Sequence, residues 1–348
     1  MEIREAVPQE SEALQRLQAQ APQGKSLVVS TVNIPDFFSR VNAYESWKVF
    51  NAYEEERIIG SAACAFRDGV LGARVRRVAY EFQYFTSPDY RRRGVARSLR
   101  DRIESHLCDQ GVALSYALIM EGNVPSMRLF EREGFHVHRK LVMPAIAVTK
   151  EVQVPGAENI RSIAPRDLEA VAQLLSETWH GHDLFEPTSA ASLARQIERM
   201  ASLGYASVLV FEDQGRILAC AALWDWSKIM KITVLRLSLR MRILGRLLVL
   251  TRVLPRFPGP GDGLRQMMLA MIGCKTPADL SPLVKHVNNL AFREGIQQLF
   301  CICERHHGIL ESTKGFTRID TGLYLYVKPL QPDLPMADAP VAMTGFDM

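Results

Sequence analysis

A chain of 348 residues, 47% hydrophobic and 23% charged, has the length of two ordinary domains and the composition of a soluble globular protein. Its formal charge of +4 is too small to imply nucleic-acid binding, and six cysteines spread from Cys64 to Cys303 do not have the spacing of a disulfide scaffold, so a reducing, cytoplasmic setting is expected. The opening MEIREAVPQESEALQRL has no apolar core and does not read as a signal peptide, and no run approaches the ~18 apolar residues of a spanning helix.

In chain order, IREAVPQESEALQRLQ from Ile3 predicts a short strand, a turn at Pro8 and an amphipathic helix. WKVFNAYEE (47–55) and RIIGSAACAF (57–66) predict neighbouring strands, and RVAYEFQYFT (77–86) a third, rich in aromatic and β-branched residues. SPDYRRRGVARSLRDRIESHLCDQG follows. Ser87-Pro88-Asp89 is turn chemistry, and Val95, Leu99, Ile103 and Leu107 fall at helical spacing up to a terminator at Gly111. VALSYALIM (112–120) reads as a buried strand, VPSMRLFERE (124–133) as a short helix, and GFHVHRKLVMPAIAV (134–148) as a returning strand.

The plan then repeats. Ile160, Arg161, Pro165 and Glu169 stand where Ile3, Arg4, Pro8 and Glu12 stood, and EDQGRILACAALW (212–224) echoes EEERIIGSAACAF (54–66). EREGF (131–135) finds a weaker echo in STKGF (312–316), at a larger offset. Ordered pairs of this kind point to a duplicated domain, with a boundary near Lys150 to Ala157 and an insertion in the second copy. That insertion, 226–261, contains no acid and eight cations: Lys228, Lys231, Arg236, Arg240, Arg242, Arg246, Arg252 and Arg256. Such a segment can bind membranes or acidic partners, or pack its apolar face on the first copy while the arginines stay wet; packing is the preferred expectation. Cys301, Cys303, His306 and His307 invite a metal-site reading, as do His180 and His182, but core cysteines and a helix end account for them, and no metal is expected. The proline- and alanine-rich segment 331–348 reads as a loose tail.

The informative feature is the basic turn between a strand and a helix. The first N–H groups of a helix lack partners and carry partial positive charge, so an anion can dock there if side chains leave room. Gly94 permits close approach, Ala96 is nearly as small, and Arg91, Arg92 and Arg93 charge the rim. A merely solvated helix start is the alternative.

Arg91-Arg-Arg-Gly-Val-Ala96, preceded by Ser-Pro-Asp-Tyr, resembles the Gln/Arg-x-x-Gly-x-Gly/Ala motif of the GCN5-related N-acetyltransferases (GNAT), and Asn123-Val-Pro-Ser-Met-Arg-Leu-Phe-Glu-Arg-Glu-Gly-Phe135 resembles their next motif. The tandem arrangement is loosely similar to plant HOOKLESS1-like proteins. The resemblance implies an α/β (α+β) chain of two GNAT-like domains in tandem, 1–150 and 151–330, each a mixed, mostly antiparallel central sheet flanked by helices. It implies transfer of an acetyl group from acetyl-CoA to a primary amine of a small molecule or protein. A CoA-binding regulator with little turnover, or an acyltransferase using longer acyl-CoA, are the alternatives. The implied cofactor site comprises Phe85, Thr86 and Ser87 at the strand end, Arg91, Arg92, Arg93, Gly94, Val95, Ala96 and Arg97 on the loop and helix start, and Asn123 and Phe130 from the second motif. The second copy has no such loop, its equivalent being MIGCKTPADLSPLVKHV (271–287), and is expected to be degenerate.

The chemistry requires a neutral amine, which at pH 7 costs a lysine-like group of pKa ~10.4 about 4.6 kcal/mol. Glu81, the lone carboxylate among the aromatics of 77–86, is the candidate base if burial raises its pKa; a solvated, edge-facing Glu81 is the alternative. Strict alternation places Glu81, Gln83 and Phe85 on one face and Tyr80, Tyr84 and Thr86 on the other, unless a bulge intervenes. The family often places its proton donor, a tyrosine, where Phe130 stands here. Tyr84 or Tyr116 can substitute, although both also read as buried sheet aromatics.

Overall fold

The computed structural model describes residues 1–251, 256–305, 307–332, 334, 338–343 and 345–347. Arg252 and His306, singled out above, lie outside the described residues. The first half runs β1 (Glu2–Glu5), α1 (Ser11–Ala19), β2 (Leu27–Asn33), β3 (Ser46–Glu54), β4 (Arg57–Leu71), β5 (Arg74–Thr86), α2 (Val95–Asp109), β6 (Leu114–Met120), α3 (Val124–Arg132) and β7 (His136–Ala147). The second half runs β8 (Ile160–Ser162), α4 (Leu168–Thr178), α5 (Ala190–Arg199), β9 (Val208–Asp213), β10 (Arg216–Asp225), β11 (Met230–Leu237), α6 (Leu239–Leu250) and β12 (Gly263–Leu264). It ends with β13 (Gln266–Cys274), α7 (Pro277–Arg293), β14 (Gln298–Phe300), β15 (Cys303–Glu304) and β16 (Arg318–Pro329).

Local sequence accounts for most of these elements. In both halves a first strand, a 3-10 turn begun by proline (Pro8, Pro165) and a helix follow one another. β3 with β4, and β9 with β10, are antiparallel hairpins. The four apolar residues of α2 at helical spacing are all buried, each worth about 1.5–3 kcal/mol of transfer free energy, and Gly111 follows the helix at φ +66°. β4 explains how helices sit on both faces of one strand. Ala62 and Cys64 meet Leu99 and Ile103 of α2, while Ala63 and Ala65 share a cluster with Leu14 and Leu17 of α1. Small side chains allow the close approach.

Among the described residues thirteen strands form one sheet, ordered β1-β3-β4-β5-β6-β16-β7-β14-β13-β10-β9-β8, with β15 beside β7. The two halves share an opening order of strand, proline turn and helix, but they trade strands. β16, last in the chain, pairs antiparallel with β6 of the first half, and β7 pairs antiparallel with β14 of the second. β7 and β16 are antiparallel to each other and join the two halves of the sheet. The boundary near residue 150 is therefore a division of sequence and not of the sheet.

Two segments depart from expectation. The insertion does meet the first half, but through β11, which pairs with β2 in a three-stranded sheet, β12-β11-β2. Its helix α6 buries only Gly245 fully and leaves Leu239, Ile243, Leu247 and Leu250 half or more exposed, so it does not pack its apolar face on the first half. The expected loose tail is in its described part an embedded strap: Val341, Ala342, Met343, Phe346 and Asp347 are buried. Proline-rich composition hid anchors made by single side chains. The Phe346 carbonyl accepts from Arg40 Nη2 (2.5 Å) and Tyr44 Oη (2.7 Å), and Asp347 pairs with Arg67 (3.0 Å). Among the described residues no helix is long and apolar enough to cross a membrane.

Candidate active site

β5 and β6 run parallel, but they pair only from Val78–Leu114 to Tyr80–Tyr116. Beyond that point β5 continues to Thr86 beside β4 while β6 diverges, so the β6-facing backbone groups of β5 have no β6 partner. A bulge lies in this free stretch. Ser61 faces Phe85 and Ala63 faces Phe82, which leaves one extra residue on β5, and Gln83 takes φ +55° there. Both polar atoms of the Gln83 side chain, and the Oγ of buried Ser87, are without hydrogen-bond partners among the described residues. Three orphaned polar atoms beside parted strands suit the amide groups of an inserted ligand.

The loop after β5 ends at the N-terminus of α2. Gly94 caps the helix at φ +85°, in the left-handed region, and makes no side-chain cap. The first backbone bond into the helix runs from the Ser98 N–H to the Gly94 carbonyl (3.0 Å), so the N–H groups of Val95, Ala96 and Arg97 precede it. A Cβ built on Gly94 would meet nothing within 4 Å, which leaves an open approach to those amides. Arg91, Arg92 and Arg93 are exposed around it, Arg93 lying 5.1 Å from the Tyr90 ring centroid, while Arg97 pairs with Glu133 (3.4 Å). Val95 is buried on Gly60 of β4, where an added Cβ would come within 2.5 Å of Val95 Cγ1. The bare glycine lets the helix start reach the strand.

The equivalent helix of the second half differs at this end. α7 is closed by its own residues: Thr276 Oγ1 accepts from the Asp279 N–H (3.4 Å), and Asp279 Oδ2 accepts from the Thr276 N–H (3.0 Å). A capping box with a carboxylate satisfies the amides and repels phosphate.

The candidate catalytic side chains do not all converge. Glu81 is 2% exposed, which overturns the solvated alternative. It lies under α2, where Oε2 accepts from Tyr84 Oη (2.5 Å) and Oε1 from Ser115 Oγ (2.6 Å). Burial pushes its carboxyl pKa up, opposed by the Arg100 guanidinium and both donors. The bulge overturns strict alternation by bringing Tyr84 to the face of Glu81 and sending Phe85 into the cluster of Tyr80 and Phe82. Tyr116 points the other way. Its hydroxyl accepts from Arg67 Nε (2.9 Å), and Arg67 also pairs with Asp347. Burial and the Glu81 carboxylate push the Tyr84 pKa well up, and burial does the same for Tyr116. Phe130 is buried with its ring edge-on to Tyr84 (5.4 Å between centroids), so a hydroxyl-bearing ring stands beside the one that lacks it. Thr86 pairs with Gly60, and the exposed Asn123 begins α3 without a side-chain cap bond.

Sequence reasoning missed the contribution of the second half. The Asp183–Phe185 segment docks on the end of β4: Val70 N–H donates to the Phe185 carbonyl (2.9 Å), Leu184 N–H to the Val70 carbonyl (2.7 Å), and Arg67 Nη1 to the Leu184 carbonyl (2.7 Å). This places Glu186 in a groove lined by Trp179, Phe185, Arg199, Met343 and Phe346. Its carboxylate makes no hydrogen bond or ion pair among the described residues, and burial pushes its pKa up against the pull of Arg67. Asp347, next to Phe346, links the groove through Arg67 to Tyr116, where the strands part. No spacing in the sequence could show this, because every link joins residues more than 45 apart. Among the described residues no three His, Cys, Asp or Glu side chains are grouped to hold a metal ion.

Parted parallel strands, a bulge and an uncapped, glycine-started helix between them make a site with the room and the donors for an acyl-CoA. Residues 14–135 match the acetyltransferase (GNAT) family model, which supports acyl transfer from an acyl-CoA by this part of the chain. No curated protein matches the chain. Among solved structures, the chain is similar to Saccharomyces cerevisiae N-myristoyltransferase with bound myristoyl-CoA (TM-score 0.64, 10% identity, 95% of this chain and 82% of that chain). It is also similar to a GCN5-related N-acetyltransferase from Sphaerobacter thermophilus (TM-score 0.56, 14% identity, 95% and 96%). A third is a probable N-acyltransferase from Enterococcus faecalis V583 (TM-score 0.51, 12% identity, 94% and 72%). At these identities the likeness is one of fold.

Proposed function

We propose that the protein transfers the acetyl group of acetyl-CoA to a primary amine bound between its halves. The observation that carries this is the open, uncapped start of α2 at Gly94 beside the parting of β5 and β6. The amides of Val95, Ala96 and Arg97 and the arginine rim hold a diphosphate, and Gln83 and Ser87 offer partners to the arm that follows it. Acetyl-CoA supplies an activated thioester there. A free N–H on the bulged part of β5 polarises the carbonyl. Glu186 holds the acceptor ammonium in the groove and takes up its proton on the way to attack. Tyr84 Oη, held by the Glu81 carboxylate, gives its proton to the leaving sulfur and regains one, through water, from the nitrogen as the tetrahedral intermediate collapses. Glu81 thus orients Tyr84 and is not the base that meets the amine.

Calorimetry with acetyl-CoA and CoA, on the natural protein and on Gly94→Val, tests the cradle. A β-branched side chain at φ +85° fills the open approach, and binding should weaken at least tenfold while the fold persists. Unchanged binding would overturn the assignment. Thiol release across an amine panel then separates an enzyme from a CoA-binding regulator, and acetyl- against octanoyl-CoA decides acyl length.

A further inference from the structure

Helix α6 carries a surface that the transfer reaction does not use. Its inner side, Met241 and Gly245, rests on the small sheet β12-β11-β2, with Phe257 packed directly against the Gly245 backbone. Its outer side is apolar. Leu239 (72%), Ile243 (50%), Leu247 (51%) and Leu250 (80%) are exposed. At about 100° per residue these four fall within an arc of about 80°. Arg246 borders the arc on one side and Arg240 on the other, with Arg242 and Arg236 nearby; all four arginines are exposed and have no acidic partner among the described residues.

We propose that α6 docks the protein on an anionic lipid bilayer, lying in the headgroup layer with the leucine stripe in the acyl boundary. Twelve residues are too few to cross a bilayer but enough to lie along one. The arginines flanking the stripe reach back to lipid phosphates while their stems stay apolar. Charge selects this occupant. Residues 226–261 contain no acid, so a second copy seated on the stripe would set arginine against arginine, whereas anionic headgroups neutralise them. Neighbouring exposed Leu235 and Leu244 extend the apolar surface beyond what an isolated helix stripe supplies.

Co-sedimentation of the full chain with phosphatidylcholine vesicles, and with vesicles containing 30% phosphatidylserine, tests the proposal. Binding to the anionic vesicles should exceed binding to the neutral ones by about tenfold or more and should fall at 0.5 M NaCl. A variant combining Leu239→Ser, Ile243→Ser, Leu247→Ser and Leu250→Ser should lose at least tenfold in binding while keeping its melting temperature and CoA affinity, since these side chains are half or more exposed. A second variant, Arg240→Gln with Arg242→Gln and Arg246→Gln, should lose the preference for anionic vesicles. The proposal fails if the natural chain stays in the supernatant with both vesicles, or if the serine variant binds as well as the natural chain. It fails equally if sedimentation velocity finds a dimer that the serine variant abolishes, because the stripe then belongs to a second copy.

Discussion

Glu186 and Tyr84 carry the residue-scale consequences of the site. A half-buried carboxylate without a partner is costly when charged, and burial raises the pKa of Glu186. Folding therefore favours its protonated form: that contribution is present at low pH and lost as pH rises through the raised pKa. At neutral pH, Glu186→Gln should leave the melting temperature unchanged or raise it by about 1–2 °C, while KM for the amine rises about tenfold or more. The natural enzyme should lose amine affinity as pH falls through a value above the ordinary carboxylate pKa of ~4.3, and the glutamine variant should not. An unchanged KM would remove Glu186 from the acceptor site. Tyr84→Phe should lower kcat about a hundredfold, with KM for both substrates preserved; equal turnover would reduce the Glu81–Tyr84 pair to packing. Gly94 and the lone carboxylate at position 81 were legible in the sequence because each is odd in its local setting. Glu186 and Asp347 were not, because their meaning comes only from long-range docking.

At the scale of elements, the starts of α2 and α7 differ. α2 begins with a bare glycine and open amides, whereas α7 begins with Thr276 and Asp279 closing on each other. The seat of α2 rests on Gly60, and a Cβ there would also lie 3.2 Å from Leu99 Cδ1 and from the Phe85 carbonyl oxygen. Gly60→Ala should cost about 1–3 kcal/mol of stability through overpacking and should weaken CoA binding by tilting the helix start. Thermal unfolding and calorimetry would check both, and a variant as stable and as tight as the natural protein would show that α2 does not need this approach. Helical spacing and hairpin turns made most of these elements readable. The sequence left a bulge in β5 open but did not place it, because its position depends on which residue of β4 faces Phe85. The extent of β2, and its partner 200 residues away in β11, were equally hidden.

Among the described residues the main sheet runs through both halves of the chain, and each half completes the other. Paired sequence stretches at a near-constant offset pointed to a shared plan in the two halves, but no local pattern tells whether a last strand returns to its own half or crosses to the other. Here β16 crosses to β6 and β7 to β14. Residues 1–150 expressed alone should therefore fail to fold and should not bind CoA, because the β6 edge has lost its cover. Co-expression with residues 151–348 should restore a soluble complex with CoA affinity near that of the intact chain. A monomeric, folded, CoA-binding 1–150 fragment would show the crossing to be dispensable.

The crossing also sets a timetable for synthesis. β6 leaves the ribosome roughly 200 residues before β16 does, a wait of about 10–40 s at 5–20 residues per second. Throughout that interval the nascent chain displays a raw strand edge with nothing to cover it, so its hazard of clumping peaks before termination and vanishes with the final segment. Slow codons placed between the two strands would lengthen the exposure and lower the yield of usable protein without altering a single amino acid.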